Sequence, residues 1–246
     1  MADFRPYQVP NAATRADAAI DQGLRAYMIK VYNLMAMGLV ITDLAAWGTW
    51  QLAVVDNHLT AFGTLIYASP LKWVVILAPL GLVFLLGFRI HKMSVSAAQT
   101  TFWVYAALVG LSLSSLFLIY TGQSVVQTFF VTAAAFGSLS LYGYTTKRDL
   151  SAFGSFLIMG LFGLIIASLV NIFLQSSAMQ FAISAIGVLV FAGLTAYDTQ
   201  RIKEMYYEGD DVAVSGRKAI MGALTLYLDF INLFMFLLQF MGNRRG

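Results

Sequence analysis

Seven runs of apolar residues mark the chain, at about 27–50, 71–90, 101–120, 125–143, 151–174, 179–200 and 219–241. Each is close to the roughly 20 residues that a helix needs to cross about 30 Å of hydrocarbon. The connectors at 121–124 and 175–178 are short enough to make their flanking helices antiparallel neighbours, while 51–70, with Asp56, Asn57 and His58, is the one longer loop. The pattern predicts an all-α polytopic membrane protein in which residues 27–241 form a single seven-helix transmembrane domain. Residues 1–26 are expected to be a polar cytoplasmic tail without the basic start, apolar core and small-residue cleavage site of a signal peptide. Residues 242–246 read as a short basic tail.

Composition agrees with the pattern. Of 246 residues 59% are hydrophobic and only 11% are charged, against about 25% in a soluble domain. The net charge of +3 invites a nucleic-acid reading, but the basic residues are scattered beside apolar runs and never interleave with aromatics in a patch. The expected surroundings are therefore a lipid bilayer, with no nucleic acid partner. Cys is absent, which excludes disulfides, thiolate metal sites and cysteine nucleophiles. His58 and His91 have no second ligand at metal spacing, so no tightly bound cofactor is expected.

Lys and Arg set the orientation. Twelve lie on one side: Arg5, Arg15, Arg25 and Lys30 before or at the start of the first run, then Arg89, Lys92, Lys147, Arg148, Arg201, Lys203, Arg217 and Lys218. The opposite connectors hold Lys72, so the positive-inside rule makes the N-terminus cytoplasmic. Arg244 and Arg245 run against that bias, and the seventh run either crosses despite them or is a shorter re-entrant element.

Most of the apolar sequence reads as packing material. Ala106, Gly110 and Ser114 at four-residue spacing allow close helix approach, and Gly163 with Ala167 repeats the pattern. Trp47, Trp50, Trp73 and Trp103 lie towards run ends, where indoles prefer the interface.

Three carboxylates break this pattern: Asp43, Asp198 and Asp229. A charged carboxylate in hydrocarbon costs about 2.5–3.5 kcal/mol even on the lenient insertion scale, so such groups face a partner or a watery cavity. Gly222, Thr225, Asp229, Asn232 and Phe236 follow three-and-four spacing down one helix face, which is expected to point into protein. The helix bearing Asp198 is expected to run to about Tyr206, with a turn over 209–216. The hairpin then carries Asp198 and Asp229 to nearly the same depth, face to face, with Thr195 and Thr225 placed to donate hydrogen bonds.

Two carboxylates in contact repel when both are ionised, so the pair is expected to titrate as a coupled unit. A shared proton draws the helices together, whereas full ionisation separates them or demands a cation. A hard cation such as Ca²⁺ suits the ionised state, but two carboxylates make an incomplete cage, so Asp198 and Asp229 form a transient cation site. Arg89 either snorkels to the headgroups or turns inward as a competitor for the cation. Asp43 either lines an entrance or simply reaches water from near the outer face.

With these residues in place a family resemblance emerges. The hydropathy profile, the AYDTQ run at Ala196–Gln200 and the TLYLDFINLF run at Thr225–Phe234 resemble the bacterial branch of the Bax inhibitor-1 family, over about residues 25–241. The resemblance implies a C-terminal helix at the centre of six others grouped as two three-helix layers. It also implies a pH-dependent calcium leak controlled by an aspartate pair, here Asp198 and Asp229, with a family arginine matched by Arg89. The bacterial branch implies the inner membrane as location.

The function expected is a passive, pH-sensitive calcium or cation leak, with protons as the regulating ligand and no enzymatic activity. Two alternatives stay open. A proton-coupled cation exchanger needs the same buried pair, and a non-transporting scaffold or regulator of a membrane protease or stress response would keep it as a structural contact. An intramembrane aspartyl enzyme meets the requirement for two carboxylates, but Asp229 lacks the neighbouring glycine expected for close substrate approach.

Overall fold

The computed structural model describes residues 12–56 and 58–245, with the backbone alone for residues 12–20. Among them are seven long helices: α1 (Ala12–Ala53), α2 (Leu71–Arg89), α3 (Val95–Leu113), α4 (Gly122–Thr145), α5 (Ser151–Leu174), α6 (Ser177–Glu204) and α7 (Val212–Met241). All seven are long and apolar enough to cross a membrane.

The helices stack as two layers with α7 between them. In one layer α3 packs against both α1 and α2; in the other α6 packs against both α4 and α5. α7 touches α1, α3, α4 and α6. Its apolar window is 56% buried against 11% for α5, which makes α7 the core and α5 a rim helix. This is the two-layer arrangement that the family resemblance implies.

Aromatic side chains seat α7 on three sides. Tyr227 meets Phe102 and Tyr105 of α3 edge-on at 5.7 Å between ring centroids. Phe230 meets Phe129 and Phe136 of α4 at 5.5 Å, and Phe236 stacks on Phe191 of α6 at 5.6 Å. Such pairs add about 0.5–1.5 kcal/mol each beyond the area they bury.

Polar bonds tie the layers together. Thr42 of α1 lies 2.9 Å from the Ala106 carbonyl of α3 and 2.6 Å from the Tyr227 hydroxyl of α7. Tyr32 Oη, Ser140 Oγ and Thr199 Oγ1 follow one another at 2.6 and 2.9 Å across α1, α4 and α6. Thr199 donates to the Thr195 carbonyl, so every hydroxyl in this chain can donate in one direction.

Small residues behave differently on different helices. A Cβ at Gly110 would overlap the Thr42 carbonyl oxygen, so α1 and α3 meet backbone to backbone there as expected. Gly163 has open space around its missing Cβ. The spacing on α5 is not a close-approach seam: Ala167 packs against the core, but among the described residues nothing lies within reach of a Cβ at Gly163.

Several boundaries depart from the hydropathy pattern. α1 starts at Ala12, not 27: residues 12–26 hold six Ala and favour helix, but are too polar to register as a span. The remainder of the expected tail, residues 1–11, lies outside the described residues. The loop after α1 contains a small antiparallel hairpin, β1 (Val54–Val55) with β2 (His58–Leu59), and one helical turn at Ala61–Gly63 leading into a π-helical stretch at Thr64–Ala68. The third apolar run breaks at Ser114–Ser115 into α3 and a short helix at Leu116–Ile119.

The seventh helix crosses the bundle and is not re-entrant. Its 30 residues span about 45 Å at 1.5 Å per residue. It starts beside the α6–α7 turn, where Arg217 reaches the Met93 carbonyl at 3.5 Å, and ends beside the α3–α4 connector. There Thr121 N donates to the Asn243 carbonyl at 3.1 Å, Arg245 N donates to the Ile119 carbonyl at 2.9 Å, and the Arg245 guanidinium lies 5.9 Å from the Trp50 ring centroid.

Candidate functional site

The site is built by the α6–α7 hairpin. The Asp211 carboxylate caps α7 by accepting from Val214 N at 2.6 Å, which satisfies a backbone donor at the helix start. The turn covers residues 205–211, earlier than the expected 209–216, because Asp211 supplies a cap that lets the helix begin at Val212. The facing levels of the hairpin are nonetheless set as expected. Lys218 donates to the Met205 carbonyl at 3.0 Å and to Asp210 at 2.6 Å, Gly222 lies against Ile202, and Phe236 lies against Phe191.

This register brings Asp198 and Asp229 together at hydrogen-bonding range. Asp229 is 4% exposed, and its Oδ2 is buried without a hydrogen-bond partner among the described residues. Asp198 is partly exposed. Two carboxyl groups in this contact either share a proton or hold a cation between them, since two bare charges at low dielectric repel.

Beside the pair lies a cavity of about 620 Å³ between α5, α6 and α7. Its polar lining comes from Asp198, Arg201, Thr225, Asp229 and Asn232, and α5 contributes a mostly apolar wall. Thr225 donates to the Met221 carbonyl at 3.1 Å, and the Asn232 amide nitrogen donates to the Leu228 carbonyl at 2.8 Å. The side-chain oxygen of Asn232 keeps its acceptor capacity for the cavity.

The other residues singled out in the sequence lie elsewhere. Thr195 is fully buried, but its hydroxyl donates to the Phe191 carbonyl at 2.8 Å and not to a carboxylate. A helical threonine bonds its own preceding turn when that carbonyl is in reach. Arg89 is exposed at the end of α2, on the rim of the opposite layer, and is not brought to the pair. The basic residue that shares the cavity is Arg201, one turn beyond Asp198 on the same helix; the three-residue spacing from Asp198 was the signal available in the sequence. Asp43 lines a separate cavity of about 250 Å³ with Trp47, Phe117, Phe230 and Phe234, none of which lines the cavity beside the pair. Among the described residues no cluster of three or more His, Asp or Glu side chains forms a metal cage.

Comparison with known proteins places this arrangement in context. A family model described as "Inhibitor of apoptosis-promoting Bax1" matches residues 24–246. A Rickettsia prowazekii protein, RP147, is 51% identical over 234 residues, covering 94% of this chain and 95% of the relative. The Escherichia coli K12 inner membrane protein YbhL is 48% identical over 235 residues, covering 94% and 98%. The Lactococcus lactis protein YrjE is 38% identical over 227 residues, covering 91% and 93%.

Proposed function

The chain belongs to the Bax inhibitor-1 family of membrane proteins, and from that premise we propose that it is a passive, pH-sensitive cation leak, with Ca²⁺ as the ion and the Asp198–Asp229 pair as the gate. The observation that carries this reading is the buried Asp229 carboxyl group, with one oxygen unpartnered, against Asp198 at the edge of a cavity. Buried carboxyl groups inside a membrane bundle mark ion or proton pathways. With one proton shared between them the two side chains bond, and α6 and α7 are held together. Loss of that proton leaves two like charges that either part or admit a cation. Ca²⁺ takes six to eight oxygen ligands, so the pair with Asn232 forms an incomplete shell from which the ion leaves readily.

The location that supports this activity is a bacterial inner membrane, as the name of the Escherichia coli relative suggests, with the N-terminus cytoplasmic by the distribution of Lys and Arg. Arg201, already at the cavity, is the basic group that competes with the cation; Arg89 joins only after a rearrangement of α2. Calcium flux into liposomes holding the purified protein, followed across pH, tests the reading. Downhill flux that rises as protons are withdrawn, and loses its pH dependence in Asp198→Asn and Asp229→Asn, is expected. A pH profile unchanged in both variants ends the proposal. Proton movement in fixed ratio to the cation would assign an exchanger instead, and absence of flux at every pH would leave a scaffold.

A further inference from the structure

The polar face of α7 extends beyond the acidic pair. Thr225, Asp229, Asn232, Phe236 and Gln239 follow one another at four, three, four and three residues, a single stripe along the half of the helix nearest the C-terminus. Two cavities lie along this stripe. The first, of about 620 Å³, holds Asp198, Asp229 and Asn232. The second, of about 500 Å³, opens where α5 and α7 end and α6 begins, beside residues 175–180, and is lined by the amides of Asn171, Gln175, Gln180 and Gln239. The two cavities share Ser168, Ile172 and Phe236.

Amide side chains facing a gap between membrane helices are costly against lipid and are retained where water reaches them. Along the stripe only Phe236 interrupts the polar positions, and it is the residue stacked on Phe191 at 5.6 Å, where the cavities meet. An aromatic side chain between two partly polar cavities closes a water path by excluding water rather than by charge. We propose that a water path runs along this stripe from the acidic pair to the amide-lined mouth, and that Phe236, seated on Phe191, is the hydrophobic constriction that closes it. The path supplies the outward leg of the leak and rests on the reading of the pair as an ion site.

The chain has no Cys, so single cysteines report on the path without background. Gln239→Cys, Asn232→Cys and Leu189→Cys are made with Phe236 intact and with Phe236→Ala, and their reaction with a charged, membrane-impermeant methanethiosulfonate added at the C-terminal end is timed. The reactive thiolate forms in water and not against hydrocarbon. Gln239→Cys is expected to react in both backgrounds. Asn232→Cys is expected to react slowly with Phe236 present and about tenfold faster in Phe236→Ala. Leu189, 71% exposed on the outer side of α6, faces lipid and its cysteine is expected to stay unreactive.

Phe191→Ala removes the other half of the stack and replaces Phe236→Ala if that variant fails to fold. An Asn232→Cys rate that neither substitution accelerates, as when an acyl chain fills the gap, overturns the path. So does equal acceleration at Leu189→Cys, which would report general loosening. Calcium flux is read in parallel vesicles holding the parent and Phe236→Ala chains, with Asn232 intact. Acceleration at Asn232→Cys without any flux keeps the path and removes the calcium reading; flux without acceleration keeps the leak and removes this route.

Discussion

The seat of α7, and with it the position of Asp229, depends on a polar contact that can be weighed. Thr42 Oγ1 lies 3.0 Å from the Gly38 carbonyl, 2.9 Å from the Ala106 carbonyl and 2.6 Å from the Tyr227 hydroxyl. A threonine has one proton to give, and both carbonyls can only accept. Thr42 therefore donates to a carbonyl and accepts from Tyr227, whose hydroxyl is fully buried. Thr42→Val keeps the shape of the side chain and strands the Tyr227 proton, at a cost of about 1–3 kcal/mol for an unsatisfied buried group. Tyr227→Phe removes that donor, and once Tyr227 is Phe, Thr42→Val has much less left to break. Interhelical bonds in membrane proteins couple by about 0.6 kcal/mol on average and up to about 1.7. The short distance and full burial put this pair at the upper end, a factor of about ten or more in the folding equilibrium. Unfolding of the parent, both single variants and the double variant in a denaturing detergent series gives the coupling directly. Single-variant effects that add to the double-variant effect within about 0.5 kcal/mol would refute the Thr42–Tyr227 hydrogen bond as a stabilising contact.

Other outcomes follow from the same structure. Gly110→Ala forces a methyl into the Thr42 carbonyl and is expected to destabilise the protein by about 1–3 kcal/mol, whereas Gly163→Ala meets open space and gains up to about 1 kcal/mol of helix propensity; thermal unfolding in detergent ranks the two. Ser140→Ala interrupts the hydroxyl chain from Tyr32 to Thr199, leaving the Tyr32 proton without its acceptor, and is expected to cost about 0.6–1.7 kcal/mol in the same assay, with no loss if water replaces the serine. Burial raises the Tyr67 phenol above the ordinary tyrosine value, with its 2.8 Å bond to Ser114 acting the other way. The folded state thus favours neutral Tyr67: this stabilisation is complete below about pH 10, the unfolded value, and is lost as pH rises through the folded one. Tyr67→Phe is expected to flatten the alkaline loss of stability, and an alkaline limb identical to the parent's would exclude Tyr67 as a contributor.

The number of spanning helices was legible in hydropathy because a membrane helix must be apolar for about 20 residues whatever it packs against. The facing of Asp198 and Asp229 was legible for a related reason. A carboxylate in such a run has to find a partner, and the hairpin offered one at matching depth. Lateral neighbours were not legible. Hydropathy carries no information on which helix lies beside which, so the sequence pointed to Arg89 as the basic partner, whereas the layers put α2 on the far rim and Arg201 at the cavity. The same ignorance made Gly110 and Gly163 look alike, although only one faces another backbone. Thr195 has the spacing to reach the carboxylates, but spacing does not report the competing carbonyl one turn back, which takes its proton. The helical start of α1 was hidden by polarity, which reports on solvent and not on backbone shape.

The position of α7 between the two layers bears on how the protein is made. Each layer joins helices close in sequence, α1 to α3 and α4 to α6, while the helix that both layers enclose follows all six of them in the chain. During synthesis the first six helices must therefore wait in the bilayer around a vacant slot, with Thr42 and the walls against which Tyr227 and Phe230 will settle facing lipid. Without α7 the two layers keep the Tyr32–Ser140–Thr199 chain between them but lose the helix both enclose, so a chain that stops before Val212 is not a shortened protein but one without a centre.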